Sequence, residues 1–236
     1  MHRTAVQNCK EFSDTYAVCF EPQTGTRVVE IGSLDVNGSL RSVTPAQFEY
    51  TGVDFAAGKG VDVVLTDPYQ IPLPNECADI VLSSSCFEHS EMFWISFLEV
   101  MRILKPRGLF YLNAPSNGNV HRYPVDCWRF YPDSGHALVA WAQRNGIDAV
   151  LLESFISSQN GGLWNDFVAV IGKDLNHSEH FSARILDNKR DFTNGLIKGH
   201  DGFLKPTELP EDKRRLRATP RVIQRLFEFF RGTGKV

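Results

Sequence analysis

Hydrophobic runs and amphipathic segments alternate along the chain from residue 27 onwards. Seven runs rich in apolar, often β-branched, residues predict strands, at 27–32, 49–55, 61–67, 78–85, 109–114, 149–156 and 166–172. Helices are predicted at 39–47, 91–104 and 133–145, the second ending at Lys105-Pro106. We expect the last two strands to pair through the Asn160-Gly161-Gly162 turn. This alternation of strands and helices favours an α/β domain with a mostly parallel sheet.

The composition is that of a globular protein. Of the 236 residues, 42% are hydrophobic and 22% are charged, which excludes a disordered, collagen-like or coiled-coil chain. No apolar run is long enough for a transmembrane helix, and the N-terminal residues lack a secretory signal pattern. The five cysteines are an odd number without a C-x-x-C pair, so we expect reduced thiols in a cytoplasmic protein.

The charge distribution separates the C-terminal segment from the rest. Residues 213–236 hold eight basic residues against Glu228 alone, whereas the whole chain has a net charge of −3. Residues 220–232 have the pattern of an amphipathic helix that begins at a proline and ends at a glycine. Such a helix docks on the core or on a second copy of the chain, or it rests on an anionic membrane.

We therefore predict three segments. Residues 1–24 form an N-terminal helical segment, 25–175 the main α/β domain, and 176–236 a basic C-terminal extension. In parallel sheets of this kind, ligands bind beyond the carboxyl ends of the strands. Candidate functional residues therefore lie directly after the predicted strands, at 32–38, 54, 67, 83–89 and 113–117.

Four motifs at these positions carry a family resemblance. They are VVEIGSLDVNG (28–38), YTGVDF (50–55), DPYQIPLPNECADIVLSSSCFEH (67–89) and LKPRGLFYLNAPS (104–116). In this order they resemble the class I S-adenosylmethionine-dependent methyltransferases, most closely the small type 11 enzymes, over residues 25–172. The resemblance implies a Rossmann-like fold with a mostly parallel seven-stranded sheet and helices on both faces, here with a C-terminal helical extension. It also implies S-adenosylmethionine as the cofactor.

The resemblance assigns a cofactor site. Gly32 allows the tight turn after the first strand, Asp54 accepts the ribose hydroxyls, and Asp67 lies where the family contacts adenine. Glu30 can reach the amino group of the cofactor, and the serines after the fourth strand lie beside its methyl group. The full set of predicted cofactor residues is Glu30, Gly32, Ser33, Leu34, Asp54, Phe55, Asp67, Pro68, Ser84 and Ser85.

Structural alternatives exist for several of these residues. Asp54 could cap a helix, Glu30 could be an edge polar residue, and Asp67 before a proline could begin a turn. The chain also departs from the G-x-G-x-G pattern of the family, because Leu34 and Val36 replace its second and third glycines. The following Asn-Gly pair at 37–38 predicts that the loop turns one step later.

The segment 116–135 is unusually rich in aromatic and charged residues and follows the fifth strand. Its H-x-Y-P-x-D-x-W-R-F-x-P pattern resembles a loop of type 11 methyltransferases associated with glycan loci. Aromatic faces beside charged groups suit a sugar, so we predict an acceptor site of Arg122, Tyr123, Trp128 and Arg129. The alternative is that Trp128, Phe130 and Tyr131 plug the end of the sheet.

Three residues are candidates for catalysis, and we assign no metal ligand. His121, oriented by Asp126, is the predicted base for a hydroxyl acceptor, and His89 is the competing base. The predicted activity is O-methylation of a sugar or sugar-linked group in surface-glycan synthesis. An anionic phosphate-type acceptor would need only Arg122 and Arg129, and the altered glycine pattern leaves open a non-catalytic cofactor-binding module. A nucleic-acid partner is not expected, because no N-P-P-Y-type tetrad follows the fourth strand.

Overall fold

The structure is a computed structural model and describes residues 3–20, 25–158, 164–174 and 180–207. These residues, apart from Thr207, belong to the compact unit Met1–Pro206. The predicted amphipathic helix at 220–232 and the 160–162 turn lie outside the described residues. Within the described ranges, no helix is both long and apolar enough to cross a membrane.

An eight-stranded mixed sheet forms the centre of the domain. Its strands, in chain order, are β1 (Arg27–Ile31), β2 (Glu49–Asp54), β3 (Val63–Val64), β4 (Ala78–Ser84), β5 (Leu104–Pro115), β6 (Ala149–Ser157), β7 (Asp166–Lys173) and β8 (Phe192–Ile197). The spatial order is β3-β2-β1-β4-β5-β7-β6-β8. The first five strands in this order run parallel, and β7, β6 and β8 pair antiparallel. The predicted Rossmann-like α/β fold is confirmed.

The sheet differs from the prediction at both edges. An eighth strand, β8, pairs with β6, so the sheet continues past residue 175, where we predicted the domain to end. The strand predicted at 61–67 is only two residues long, because prolines follow closely and only Val63 and Val64 pair with β2. The helix predicted at 39–47 is a single 3-10 turn, Leu40–Val43, which ends before Pro45.

Helices cover both faces of the sheet. They are α1 (Arg3–Tyr16), α2 (Phe93–Ile103), α3 (Ser134–Arg144) and the short α4 (Ile185–Asn188). Successive residues of β5 point to opposite faces, so Phe110 packs in the core beneath α2 and α3, and Tyr111 in the core beneath α1. Full burial of each such side chain stabilises the fold by about 1.5–3 kcal/mol.

A buried polar network attaches α1 to the strand ends. Asn8 donates from its Nδ2 to Oδ1 of Asn113 at 3.0 Å and accepts from the Ser157 hydroxyl at 2.9 Å. Asn113 lies near the carboxyl end of β5 and is opposite Ser84 of β4. The N-terminal helix is thus fixed directly behind the strand ends at which the family resemblance places the cofactor.

Candidate functional site

A cavity of about 700 Å³ opens at the carboxyl ends of the parallel strands. This volume is within the ~300–1,000 Å³ range of small-molecule sites. One end of the cavity, the cofactor end, is lined by Gly32, Leu34, Asp54, Phe55, Pro68, Ser84 and Ser85. The other, the acceptor end, is lined by Glu88, His89, His121, Arg122, Tyr123, Trp164 and Asp166. The structure therefore brings the predicted cofactor and acceptor segments into one cavity.

Gly32 makes the turn after β1 possible. Its φ is +81°, and a Cβ built on it would lie 2.6 Å from Cβ of Cys86, which follows β4. Its N–H donates to the carbonyl of Val53 at 2.9 Å. Only glycine allows the turn to lie this close to the end of β4, as the sequence predicts.

Asp54 lies at the end of β2 and is held by backbone donors. Its Oδ2 accepts from the N–H of Leu34 at 3.0 Å, and its Oδ1 accepts from the N–H of Ala56 at 3.0 Å. The side chain lines the cavity although the residue is only 6% exposed. Each carboxylate oxygen can accept a further hydrogen bond, so the residue fits a ribose diol. Phe55 beside it offers an exposed aromatic face to the same cavity.

The altered glycine loop is rebuilt around Asp35. Its Oδ1 accepts from the N–H of Gly38 at 2.9 Å, and Gly38 has a φ of +123°. Leu34 and Val36, which stand at the positions of two family glycines, both line the cavity. The turn at 37–38 therefore occurs where the sequence predicts it.

Three predicted cofactor residues do not line the cavity. Glu30 accepts a hydrogen bond from the Tyr50 hydroxyl at 2.6 Å, and burial raises its pKa to about 7. Ser33 is buried against Gly52. Asp67 is exposed and accepts from the N–H of Tyr69 at 2.8 Å, which is the turn-forming alternative. The cavity wall in this region is formed instead by Thr66, Pro68 and Tyr69.

Two imidazoles meet at the acceptor end. The rings of His89 and His121 are 4.9 Å apart between centroids and nearly perpendicular. Nδ1 of His89 is hydrogen-bonded to the Val125 carbonyl, and Nδ1 of His121 lies 3.4 Å from Oδ2 of Asp126. The backbone N–H of His121 also donates to Oδ2 of Asp126 at 2.7 Å. Both predicted catalytic histidines therefore line the cavity, with Nδ1 of His89 oriented by a hydrogen bond and Nδ1 of His121 without a hydrogen-bond partner among the described residues.

Asp126 and Arg129 form a salt bridge with each other, and neither residue lines the cavity. Arg129 donates to both carboxylate oxygens, at 2.6 and 2.8 Å, and its guanidinium lowers the pKa of Asp126 to about 2. The side chain of Asp126 is 2% exposed. Asp126 is thus a positioning residue for His121, and Arg129 is engaged by Asp126 rather than facing the cavity.

Trp128 also lies outside the lining. Its Nε1 donates to the Ser90 carbonyl at 2.9 Å, and its ring packs edge-on against Phe93 and Trp94. Phe130 is buried beside Phe93. These contacts correspond to the alternative in which both aromatics close the end of the sheet. Of the predicted acceptor residues, only Arg122 and Tyr123 line the cavity.

Two buried carboxylates at the acceptor end were not assigned a role from the sequence. Glu88 is 1% exposed, and burial raises its pKa to about 8. Asp166, the first residue of β7, is 2% exposed, and burial raises its pKa to about 7. The sequence offers one signal for each residue. Glu88 directly precedes His89, and Asp166 begins an otherwise apolar strand.

Comparisons with known proteins agree with this geometry. A family model described as a methyltransferase domain matches residues 29–112, which include the glycine turn, Asp54, strand β4 and most of β5. The resemblance seen in the sequence is confirmed. Residues 29–112 therefore match the methyltransferase domain of class I S-adenosylmethionine-dependent enzymes, whose cofactor is S-adenosylmethionine. The Gly32 turn and the Asp54 carboxylate at the cofactor end fit this molecule.

Solved structures share the fold at low sequence identity. The 1,6-didemethyltoxoflavin-N1-methyltransferase of Burkholderia thailandensis, solved with bound S-adenosylhomocysteine, has a TM-score of 0.51 and 14% identity, covering 72% of this chain and 78% of that chain. The cyclase SpnF has a TM-score of 0.53 and 12% identity, covering 71% and 81%. A methyltransferase and a cyclase thus share this fold, so the acceptor is argued from the site itself. A comparison with curated protein sequences finds no match.

Proposed function

We propose that this methyltransferase O-methylates a hydroxyl of a sugar or sugar-linked group in surface-glycan synthesis. The observation that carries the proposal is the scarcity of positive charge in the cavity wall. Four acidic residues line the cavity, namely Asp54, Glu88, Glu91 and Asp166, and Arg122 is the one Lys or Arg among the described lining residues. A neutral hydroxyl is compatible with such a wall, whereas a phosphate-type acceptor would find a single cation to bind it.

The residues around the acceptor end also suit a polyol. Tyr123 and Trp164 supply aromatic surface, and Arg122 is an exposed donor at the same end. Arg129, the second cation expected to hold an anionic acceptor, is bound to Asp126. The loop from His121 onwards resembles that of type 11 enzymes of glycan loci, which supports a surface-glycan acceptor. The five free thiols support a cytoplasmic location for this step.

The reaction needs alignment and activation of the hydroxyl. When bound, S-adenosylmethionine supplies an electrophilic methyl group, and the cavity aligns the acceptor oxygen with it. A C–O bond forms, the S–C bond breaks, and the hydroxyl proton leaves. We assign acceptance of this proton to an imidazole nitrogen of His121 or His89, because both residues line the acceptor end.

Transfer of a deuterated methyl group tests the acceptor class. Wild-type protein is incubated with labelled S-adenosylmethionine and a series of nucleotide sugars, and tandem mass spectrometry locates the label. Label on a sugar hydroxyl is expected. We expect His121→Ala to lower kcat by about 10²-fold or more, whereas Arg122→Ala should mainly raise KM. Label on a phosphate oxygen, or a kcat loss confined to Arg122→Ala, would contradict the hydroxyl acceptor.

A further inference from the structure

We infer that Glu88, His89 and His121 form a binding site for a divalent cation of the zinc class at the acceptor end. Each residue offers one ligand atom, and these atoms lie within 4.8 Å of one another. Two imidazoles and one carboxylate are a ligand set that zinc and its neighbours among the first-row divalent metals accept. Small side-chain movements would bring the three atoms to the shorter separations of a bound ion.

Both imidazoles have a nitrogen available to a metal ion. Nδ1 of His89 donates to the Val125 carbonyl, which leaves its Nε2 lone pair available, 3.7 Å from Oε1 of Glu88. Nδ1 of His121 is buried 3.4 Å from Oδ2 of Asp126 and has no hydrogen-bond partner among the described residues. A carbonyl behind a histidine, as behind His89, fixes the tautomer and raises the basicity of the ligating nitrogen.

Glu88 supplies an independent observation. Its side chain is 1% exposed, and its Oε2 has no hydrogen-bond partner among the described residues, although it borders the cavity. A buried carboxylate oxygen without a partner is costly. Asp166 and Asp126 add negative charge around it, and Arg129 is the positive group that opposes them. A cation would satisfy the free oxygen and would be attracted by the neighbouring acids.

Three protein ligands beside a cavity leave a coordination position open, as in catalytic zinc sites. This inference rests on the proposed function for the role of the ion, which would lower the pKa of a hydroxyl bound at that position. The imidazoles would then activate the acceptor as ligands, and the hydroxyl proton would pass to solvent water instead of to His121 as predicted from the sequence. Binding of the ion itself requires no acceptor.

Titration of the full chain with Co²⁺ after chelator dialysis tests the site, because Co²⁺ reports coordination by its visible absorption. We expect saturable binding at one site. His121→Ala and Glu88→Gln should each weaken it at least about tenfold. His136→Ala, which removes an exposed histidine of α3, is the matched control and should bind like the wild type. Binding of S-adenosylhomocysteine verifies that each variant is folded.

Two results would overturn the site. One is the lack of saturable Co²⁺ binding by wild-type protein that binds S-adenosylhomocysteine. The other is unchanged Co²⁺ affinity in both His121→Ala and His89→Ala. Because the titration contains no acceptor, it is independent of the proposed function. Metal binding combined with methylation of a phosphate would leave the site standing and reject the sugar-hydroxyl acceptor.

Discussion

The Tyr50 hydroxyl donates a hydrogen bond to Oε2 of Glu30 at 2.6 Å, on the face of the sheet that α1 covers. Val29 and Ile31 on either side of Glu30 pack in the core beneath α2 and α3, so strand alternation directs Glu30 to the opposite face. Glu30 is therefore buried away from the cavity, and we expect it to act as a structural acid rather than to contact the amino group of the cofactor.

This position predicts a pH-dependent stability. Burial raises the pKa of Glu30 in the folded protein to about 7 from 4.5, so its protonated form is favoured by folding. Its stabilising contribution is complete below about pH 4.5 and is lost as pH rises through about 7. Relative to Glu30→Gln, the wild type should lose about 3 kcal/mol of unfolding free energy between about pH 5 and pH 8. Urea denaturation at several pH values measures this. Parallel curves for the two proteins, or weaker S-adenosylhomocysteine binding in the variant, would reject the structural role.

Gly32→Ala should disrupt the cofactor end. The new Cβ would meet Cβ of Cys86 at 2.6 Å, and the residue has a positive φ. We expect a loss of about 2–4 kcal/mol of unfolding free energy, because strain and overpacking add. Gly146→Ala is the control, since Gly146 has a φ of +76° with nothing within 4 Å of the added Cβ. It should cost about 1 kcal/mol through backbone strain alone and leave S-adenosylhomocysteine binding intact. Equal stability losses in the two variants would show that the close approach to Cys86 is unimportant.

Arg129 should contribute to the stability of the fold, whereas Arg122 should contribute to acceptor binding. Arg129→Ala leaves the carboxylate of Asp126 buried without its partner, so we expect a loss of about 3 kcal/mol of unfolding free energy. Arg122 is exposed at the cavity, and its replacement by alanine should change stability by less than about 0.5 kcal/mol while raising the acceptor KM. Chemical denaturation and steady-state kinetics on both variants separate the two roles. Wild-type stability in Arg129→Ala would show that the pair is not structural.

The sequence was sufficient for the fold and for part of the cofactor end. Hydrophobic periodicity located most strands and two helices, and strand ends placed Gly32 and Asp54 correctly at the cavity. Asp67 also lies at a predicted strand end, but it is outside the cavity. The strand β3 is only two residues long, and in the turn that follows it Asp67 accepts a hydrogen bond from the N–H of Tyr69. A strand end indicates where side chains gather but not which of them face the ligand.

The acceptor end depended on contacts that the sequence does not specify. The segment 121–131 is rich in aromatic and charged side chains that would suit an acceptor site. However, Arg129 is hydrogen-bonded to Asp126, and Trp128 is hydrogen-bonded to Ser90. Glu88 and Asp166 were missed because their significance lies in burial near a cavity formed by distant segments. Such pairings between separate segments are created by folding and leave no periodic signal.

Calorimetric titration with S-adenosylhomocysteine tests the central claim most directly, namely that the cavity beside Asp54 is the cofactor site. The wild type should bind the ligand, and Asp54→Ala should weaken binding by about 1.5–3 kcal/mol, or roughly 10- to 150-fold, through loss of hydrogen bonds to a carboxylate. Asp67→Ala is the matched control, because Asp67 is exposed outside the cavity, and it should bind like the wild type. Failure of the folded wild type to bind, or equal affinity in wild type and Asp54→Ala, would contradict the account.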